Sequence, residues 1–526
     1  MTTTAMSGSR LSDLPDDLLR RVLFFAPAKE GAATAVLARR WRSLWRSSGG
    51  VNLASRLGPG AGVDRPWTRH DYPLSVAEGA LAAARAEGPV RRITLHLEEK
   101  SHAGVDAVMS RSFEGMIDFV LYNPAVRRVE ELRLTAHMSR PVDDSGGRAP
   151  DYSGGWYKLR LAELPSEALR VLHVGDCHEL VPAFPGEAAF PRLAVLQLRR
   201  CTVLLTGLQG LIDAAPQLAT LQLERCCLSG AVEAGAGTAP ATWVAERYRL
   251  RCPAVTVLVL ASCRWPGWAP DGMVLDVPKL RYFRYKGFVE RLSLASHAPD
   301  IHLGDLHFVD EVNPGEHKML DKMRVSFWQF VHNFSDAKVL KVKLNFPIEN
   351  IAVAKKTDRG KILGDKIFRN LERLELEGHH VPWSDGAAVA IANMLHCCPV
   401  VCDLRLSLKT QGSRIAVIAF DDEEEDDIYY VSDIPGLSGC SFNCLQSSLR
   451  RVRLQFQLEF LNCFGVQLAK FLAENALVLE DFHVDVGKHK LRPYIDRKVR
   501  RWVIDSSNRR RNSPSTPGSE FLPSET

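Results

Sequence analysis

No apolar run in these 526 residues is long enough to cross a bilayer. The most apolar stretch, VTVLVLASC at 255–263, falls far short of the roughly 20 residues a spanning helix needs. The first ten residues, MTTTAMSGSR, are polar and hold no apolar segment of a secretory signal. These absences lead to the expectation of a reducing compartment, cytoplasm and/or nucleus. There the 12 cysteines stand as thiols rather than as a disulfide framework. Charge of one sign is scarce as well: 67 Lys+Arg against 62 Asp+Glu leave +5. The basic residues are spread out, apart from a cluster at Arg500, Arg501 and Arg509 to Arg511. Nucleic-acid binders concentrate positive charge on one face or arm, so neither nucleic acid nor membrane is expected as a partner.

Chemistry-bearing motifs are missing too. The chain has no phosphate-binding G-x-x-x-x-G-K-[ST], no dinucleotide G-x-G-x-x-G after a strand and no nucleophile elbow G-x-S-x-G. His332 and Asp336 form an H-x-x-x-D string, but a general base needs geometry before sequence spacing, and a chance occurrence in an amphipathic stretch accounts for it. His379, His380, His396, Cys397, Cys398 and Cys402 crowd together without a C-x-x-C spacing. No catalytic residue, metal or cofactor is expected from these patterns.

What is present begins with length. At 526 residues the chain exceeds what one core supports, so it must divide into domains or grow by repetition. A hydrophobic content of 46% with 25% charged residues fits a folded chain. Residues 11–46 read LSDLPDDLLRRVLFFAPAKEGAATAVLARRWRSLWR. Ser12 or Asp13 serves as a cap, Pro15 occupies the first turn, and Asp16 and Asp17 face the positive end of the helix dipole. Leu14, Leu18, Val22 and Phe25 recur at helical spacing, widened by Leu19 and Leu23. Pro27 ends this helix. A second helical pattern places Ala33, Val36, Leu37, Trp41, Leu44 and Trp45 along one side. Such short helices cannot bury all these groups among themselves, so the surplus needs either the rest of the chain or a partner protein. A cap on a repeat array and a docking element both satisfy that need.

The string LPDDLLRRVLFF, then proline and a short polar stretch, then AVLARRWRSLWR, resembles the F-box of plant F-box proteins. Phe25-Ala26 stands where Phe-Leu is usual, and Ala38 replaces a common serine; neither removes an apolar anchor. The resemblance implies docking on a Skp-type adaptor through Leu14, Pro15, Leu18, Leu19, Val22 and Leu23. Val36, Leu37 and Trp41 would complete the contact.

Beyond residue 90 the chain repeats. LRVLHVGDC (169–177), LAVLQLRRC (193–201), LATLQLERC (218–226) and VTVLVLASC (255–263) share one pattern, [LV]-x-x-[LV]-x-[LV]-x-x-C. Weaker copies lie at 129–137, 280–288, 371–379, 401–408, 449–456 and 479–486, with RRITLHLEE near residue 93 as a possible first. Each copy predicts a strand whose alternate apolar residues face one side. Pro191, Pro216, Pro253, Pro278 and Pro399 precede copies and stop an incoming helix. Repetition at about 24 to 40 residues describes a leucine-rich-repeat array, in which Cys177, Cys201, Cys226 and Cys263 take a buried slot after the strand. From about Phe442, the pieces SSLRRV, LAKFLAENA and LVLEDFHV resemble the FBD-type region of plant F-box proteins.

The expected fold is α/β: a short helical F-box, then an irregular leucine-rich-repeat solenoid with a parallel sheet on one side and helices and loops on the other. Its expected layout is a disordered 1–10, F-box 11–50, connector 51–90, repeats 91–410, acidic loop 411–436 around Asp421 to Asp427, FBD-like unit 437–505 and disordered tail 506–526. The resemblance implies a non-catalytic receptor subunit of a Skp–cullin–F-box ubiquitin ligase, reaching a cullin through the adaptor and holding an unknown protein substrate on its repeats. A ligase-independent repeat scaffold is the alternative.

Overall fold

The computed structural model describes residues 11–36, 39–57, 72–100, 106–139, 157–181, 189–229, 248–265, 272–289, 292–295, 300–309, 317–364, 367–382, 384–410, 431–437, 439–458, 462–487 and 489–512. They fall into two units, Met1–Leu280 with Leu292–Ala298 and Arg281–Arg291 with Pro299–Thr526. In each, apolar residues at every second position of a strand turn to one side and are buried. Consecutive repeats lay their strands side by side in parallel.

In the first unit the strands follow chain order: Gly50–Leu57, Arg92–Lys100, Glu131–Ser139, Val171–Gly175, Val195–Arg199, Thr220–Glu224 and Val257–Ala261. Every pair is parallel and in register, so Leu172, Leu196, Leu221 and Leu258 form one buried row and Val174, Leu198, Leu223 and Leu260 the next. Burying each such side chain contributes about 2 kcal/mol.

The slot after the strand is cysteine for a geometric reason. Asp176, Arg200, Arg225 and Ser262 adopt φ of 60°, 52°, 53° and 52°, a left-handed conformation that costs a non-glycine residue about 1 kcal/mol. The turn lets Asp176, Arg200 and Arg225 donate their N–H to Arg199, Glu224 and Ala261 of the following repeat, at 2.9, 2.8 and 2.6 Å. It also drops the next side chain inward. There Cys201, Cys226 and Cys263 point Sγ at the carbonyls of Val174, Leu198 and Leu223 in the preceding repeat, at 3.5, 3.3 and 3.2 Å. A small, weakly donating side chain satisfies that carbonyl without bringing in a charge. All four slot cysteines are buried, as the repeat pattern predicts.

The prolines have an equally local role. Leu193, Leu218, Val255, Leu280 and Val401 donate to Phe190, Ala215, Cys252, Val277 and Cys398, three residues back. Pro191, Pro216, Pro253, Pro278 and Pro399 therefore sit at the second position of a four-residue turn, where the ring's fixed φ is preorganised.

The second unit runs Tyr282–Gly287, Leu303–Phe308, Val339–Pro347, Arg373–His380, Asp403–Thr410, Arg451–Phe456 and Asp481–Asp485, again parallel. Helices His317–His332, Gly386–Cys397 and Phe464–Asn475 separate several of these strands. Phe283, Phe308, Phe327, Phe330 and Phe334 pack edge-on or tilted within the unit's core, and Trp328 Nε1 donates to the Ile351 carbonyl at 2.9 Å.

The fold class is as the sequence predicts; two of its boundaries move and several strands are added. The array starts at Gly50–Leu57, at the end of the expected F-box and into the expected connector; GVNLASRL buries Val51 and Leu53 but lacks the leucine pattern of the other copies. Leu303–Phe308 and Val339–Pro347 are strands the pattern misses. In the middle repeats short parallel strands stand beyond the turn: Tyr157–Arg160 with Cys177–Val181, Thr202–Leu204 with Cys227–Ser229, and Arg249–Arg251 with Met273–Asp276 and Leu292–Leu294. The final helix runs Arg492–Asn512 and carries ordered chain past Ser506, anchored by buried Ile495 and Val499. Residues 1–10, 411–430 and 513–526 lie outside the described residues, and with them the acidic run Asp421 to Asp427.

Candidate functional site

The N-terminal helices are built onto the first strand. Helix α1, Asp16–Phe25, starts after Pro15 with Asp16 and Asp17 in its first turn and ends where Ala26 turns extended before Pro27. Helix α2 spans Ala28–Ala33, and a 3-10 turn covers Thr34–Val36. Helix α3, Arg39–Arg46, follows, so the second helical pattern of the sequence is broken into pieces. Arg40 ties α3 to the start of α1, donating Nε to Asp16 Oδ1 at 2.7 Å and Nη2 to the Leu14 carbonyl at 2.8 Å.

The other end of α1 is held by the sheet. Asn52 in the first strand donates Nδ2 to the carbonyls of Phe24 and Ala26, both at 2.9 Å, capping groups the helix cannot satisfy itself. A Cβ at Gly50 would lie 2.3 Å from the Phe24 carbonyl oxygen, and one at Gly31 would lie 2.3 Å from the Trp45 ring. Both positions therefore require glycine for close approach. Arg92 of the second strand lays its guanidinium over the Phe25 ring at 4.5 Å and the Phe24 ring at 5.5 Å. Its Nε lies 3.3 Å from Glu131. Burial lowers the Arg92 pKa, partly offset by Glu131.

This arrangement sorts the residues the resemblance names. Leu18, Val22 and Val36 are 52%, 47% and 89% exposed. Pro15 is exposed and Leu14 partly so. Leu19, Leu23 and Trp41, which the resemblance names with them, are buried in the chain, as are Leu44 and Trp45. The physical reason is the 100° step between neighbours on a helix: when Leu18 and Val22 face solvent, Leu19 and Leu23 face the chain. Leu37 lies outside the described residues. Leu11 and Phe25, 56% and 54% exposed, belong to the exposed set without being named by the resemblance. Phe25 was findable from the stripe Leu18, Val22, Phe25, spaced four and three.

The other candidates resolve into packing. His332 closes the helix His317–His332 with its ring edge-on to Phe368, centroids 6.5 Å apart, and Asp336 lies on the following turn. His379 and His380 end the Arg373–His380 strand, with the His380 ring 5.1 Å from Phe464. His396 and Cys397 close the helix Gly386–Cys397, Cys398 caps it, and Cys402 Sγ points at the Glu372 carbonyl at 3.2 Å. Burial pushes the Cys398 thiol well up and the Cys177 and Cys252 thiols to about 12, which suppresses the nucleophilic thiolate. Among the described residues no group of three or more His, Cys, Asp or Glu is placed to hold a metal ion. Among them too, no helix is long and apolar enough to cross a membrane.

Two family models match parts of the chain. The F-box domain model matches residues 11–50. The model described as FBD-associated F-box protein At5g56370, LRR repeats, matches residues 118–234. A putative FBD-associated F-box protein of Arabidopsis thaliana is 46% identical over 54 residues, 10% of this chain and 29% of the relative. The meiotic F-box protein MOF of Oryza sativa subsp. japonica is 40% identical over 86 residues, 16% and 18% of the two chains. An F-box/FBD/LRR-repeat protein of Arabidopsis thaliana is 42% identical over 57 residues, 11% and 13%. The matched stretches thus span less than a third of these relatives' own lengths. The chain carries an F-box joined to leucine-rich repeats of the kind found in plant FBD-associated F-box proteins.

Proposed function

We propose that this protein is a substrate-receptor subunit of a Skp–cullin–F-box ubiquitin ligase. Its F-box docks a Skp-type adaptor, the adaptor joins it to a cullin, and the repeats hold a protein substrate. The observation that carries the reading is the stripe Leu18, Val22 and Phe25 on α1, left about half exposed while their neighbours Leu19 and Leu23 are buried. Single exposed apolar residues are ordinary, whereas several in one stripe mark a contact surface. The chain contributes proximity and orientation, and transfer chemistry resides in other subunits. The protein works in a reducing compartment, cytoplasm and/or nucleus, where its buried thiols stay reduced.

Co-expression with a Skp-type adaptor tests this. A stoichiometric complex is expected from the intact chain, and failure of the adaptor to co-purify overturns the reading. A second reading, a ligase-independent scaffold, draws on Leu19, Leu23, Trp41 and Trp45, which cap the sheet whether or not an adaptor binds. It predicts that deleting residues 11–46 unfolds the first unit and that the intact chain captures no adaptor.

A further inference from the structure

The outward face of the second unit is a set of charge rows. Because the strands are parallel and in register, side chains two apart along a strand line up across the sheet about 4.8 Å from their neighbours. One row reads Arg284, Asp305, Lys341, Glu375, Arg405, Arg453, His483. Its first five charges alternate and pair: Arg284 with Asp305 at 3.4 Å, Lys341 with Glu375 at 2.9 Å, and Arg405 with Glu375 at 3.3 Å. Asp403 in the adjacent row takes Arg373, Arg405 and Arg451 at 2.9, 3.2 and 3.7 Å.

The alternation fails at Arg453. It stands directly across from Arg405, a like charge on the neighbouring strand, an arrangement that destabilises a sheet. Arg405 is neutralised by Asp403 and Glu375, whereas the exposed Arg453 makes no ion pair or hydrogen bond with any described residue. Beside it, Ser407 Oγ and Gln455 Oε1 are joined at 3.2 Å. That leaves the Gln455 amide N–H₂ available to a ligand. These residues line a groove of about 520 Å³ that crosses the strands from Asp305 to Asp485. From Lys341 to Asp485 its two outward rows carry no apolar side chain, so whatever binds there is recognised by charge and hydrogen bonds.

We infer that this groove is the receptor's docking site for an extended polar peptide segment of a protein substrate that presents one Asp or Glu carboxylate to the Arg453 guanidinium. The inference rests on the receptor reading for its biological meaning and on the row geometry for its chemistry. A carboxylate matches the planar guanidinium with two parallel hydrogen bonds, restores the alternation of the row, and meets the Gln455 amide alongside. A single negative charge suits the site, since Glu377 and Asp485 line the same groove and would repel a second.

The test uses the full chain, with and without a Skp-type adaptor, and a fluorescein-labelled Gly-Ser dodecapeptide bearing one central glutamate. Polarisation at low salt is expected to report binding. The same peptide with glutamine in place of glutamate should bind at least about tenfold more weakly, the order of one charge-assisted contact. Arg453→Gln should weaken the glutamate peptide to a similar degree, Arg453→Lys less so, and Lys286→Gln, which removes an equal charge outside the groove, not at all. No binding, equal binding of the two peptides, or an equal effect of Arg453→Gln and Lys286→Gln overturns the inference. So does binding that appears only after Asp421 to Asp427 are exchanged for serine, which would make the chain's own acidic run the occupant. Adaptor co-purification is scored separately, so a failed receptor reading is distinguished from a failed groove.

Discussion

The two units share an inward pattern and differ in nearly everything their strands present outward. In the first, two outward rows of the middle repeats read Val171, Val195, Thr220, Val257 and His173, Gln197, Gln222, Val259, largely neutral, and the third, Gly175, Arg199, Glu224, Ala261, holds one basic and one acidic residue. In the second, one row alternates basic and acidic residues from Arg284 to Arg405 and the next carries Lys343, Glu377 and Asp485. Turns differ as well. The left-handed residues followed by a buried cysteine belong to the first unit, where the middle strands stop at five residues; in the second, strands such as Arg373–His380 run to eight. The lesson is that inward leucines specify the repeat, while the turn sets strand length and the outward residues are left to carry recognition.

The largest effect should come from what the units share. Leu221→Ala and Leu376→Ala each remove a buried row member and should cost about 2–5 kcal/mol in denaturant unfolding. A cost below about 1 kcal/mol in either unit would break the equivalence. A smaller effect should appear where they differ. Arg225→Gly relieves a left-handed conformation at an exposed side chain and should stabilise by up to about 1 kcal/mol. A clear loss would show that the arginine side chain, not the turn, is what matters there.

Smaller still are the ion pairs of the second unit. The partly exposed Lys343–Glu377 pair at 2.7 Å should show a coupling below about 1 kcal/mol in a double-mutant cycle, shrinking further in high salt. Asp403 is a partial exception. Burial alone would raise its pKa, but the Arg405 and Arg373 guanidinia outweigh burial and hold it below the ordinary carboxylate range. A folded pKa below the unfolded one stabilises at neutral pH, and that share is lost as the pH falls below about 4. Asp403→Asn should flatten the acid limb of the stability curve, and an unchanged limb would contradict this assignment.

How much of this was legible beforehand follows from the same contrast. The strands with L-x-x-L-x-L-x-x-C are plain in the sequence because leucine spacing and the cysteine slot coincide. Leu303–Phe308 escapes because Gly304 leaves its first inward position without an apolar side chain, although Leu306 and Phe308 are fully buried. Val339–Pro347 alternates cleanly through Leu340, Val342, Leu344 and Phe346 but has no cysteine slot. In the F-box, motif resemblance finds the helix but cannot divide Leu18 from Leu19 or Val22 from Leu23. These neighbours are alike in chemistry and are separated only by which side the Gly50–Leu57 strand covers. The unpaired Arg453 is invisible until strand register places Arg405 opposite it.

The most direct measurement of the central claim is adaptor capture by Leu18→Asp/Val22→Asp, set beside the unfolding midpoint of the chain alone. The account predicts that capture is lost while the midpoint stays close to the parent's, because both side chains are already about half exposed. Leu19→Asp should instead lower the midpoint by burying a carboxylate. Retained capture by the double variant, or a midpoint that falls as far as that of Leu19→Asp, would contradict the claim that α1 turns one edge to a partner and the other to the sheet.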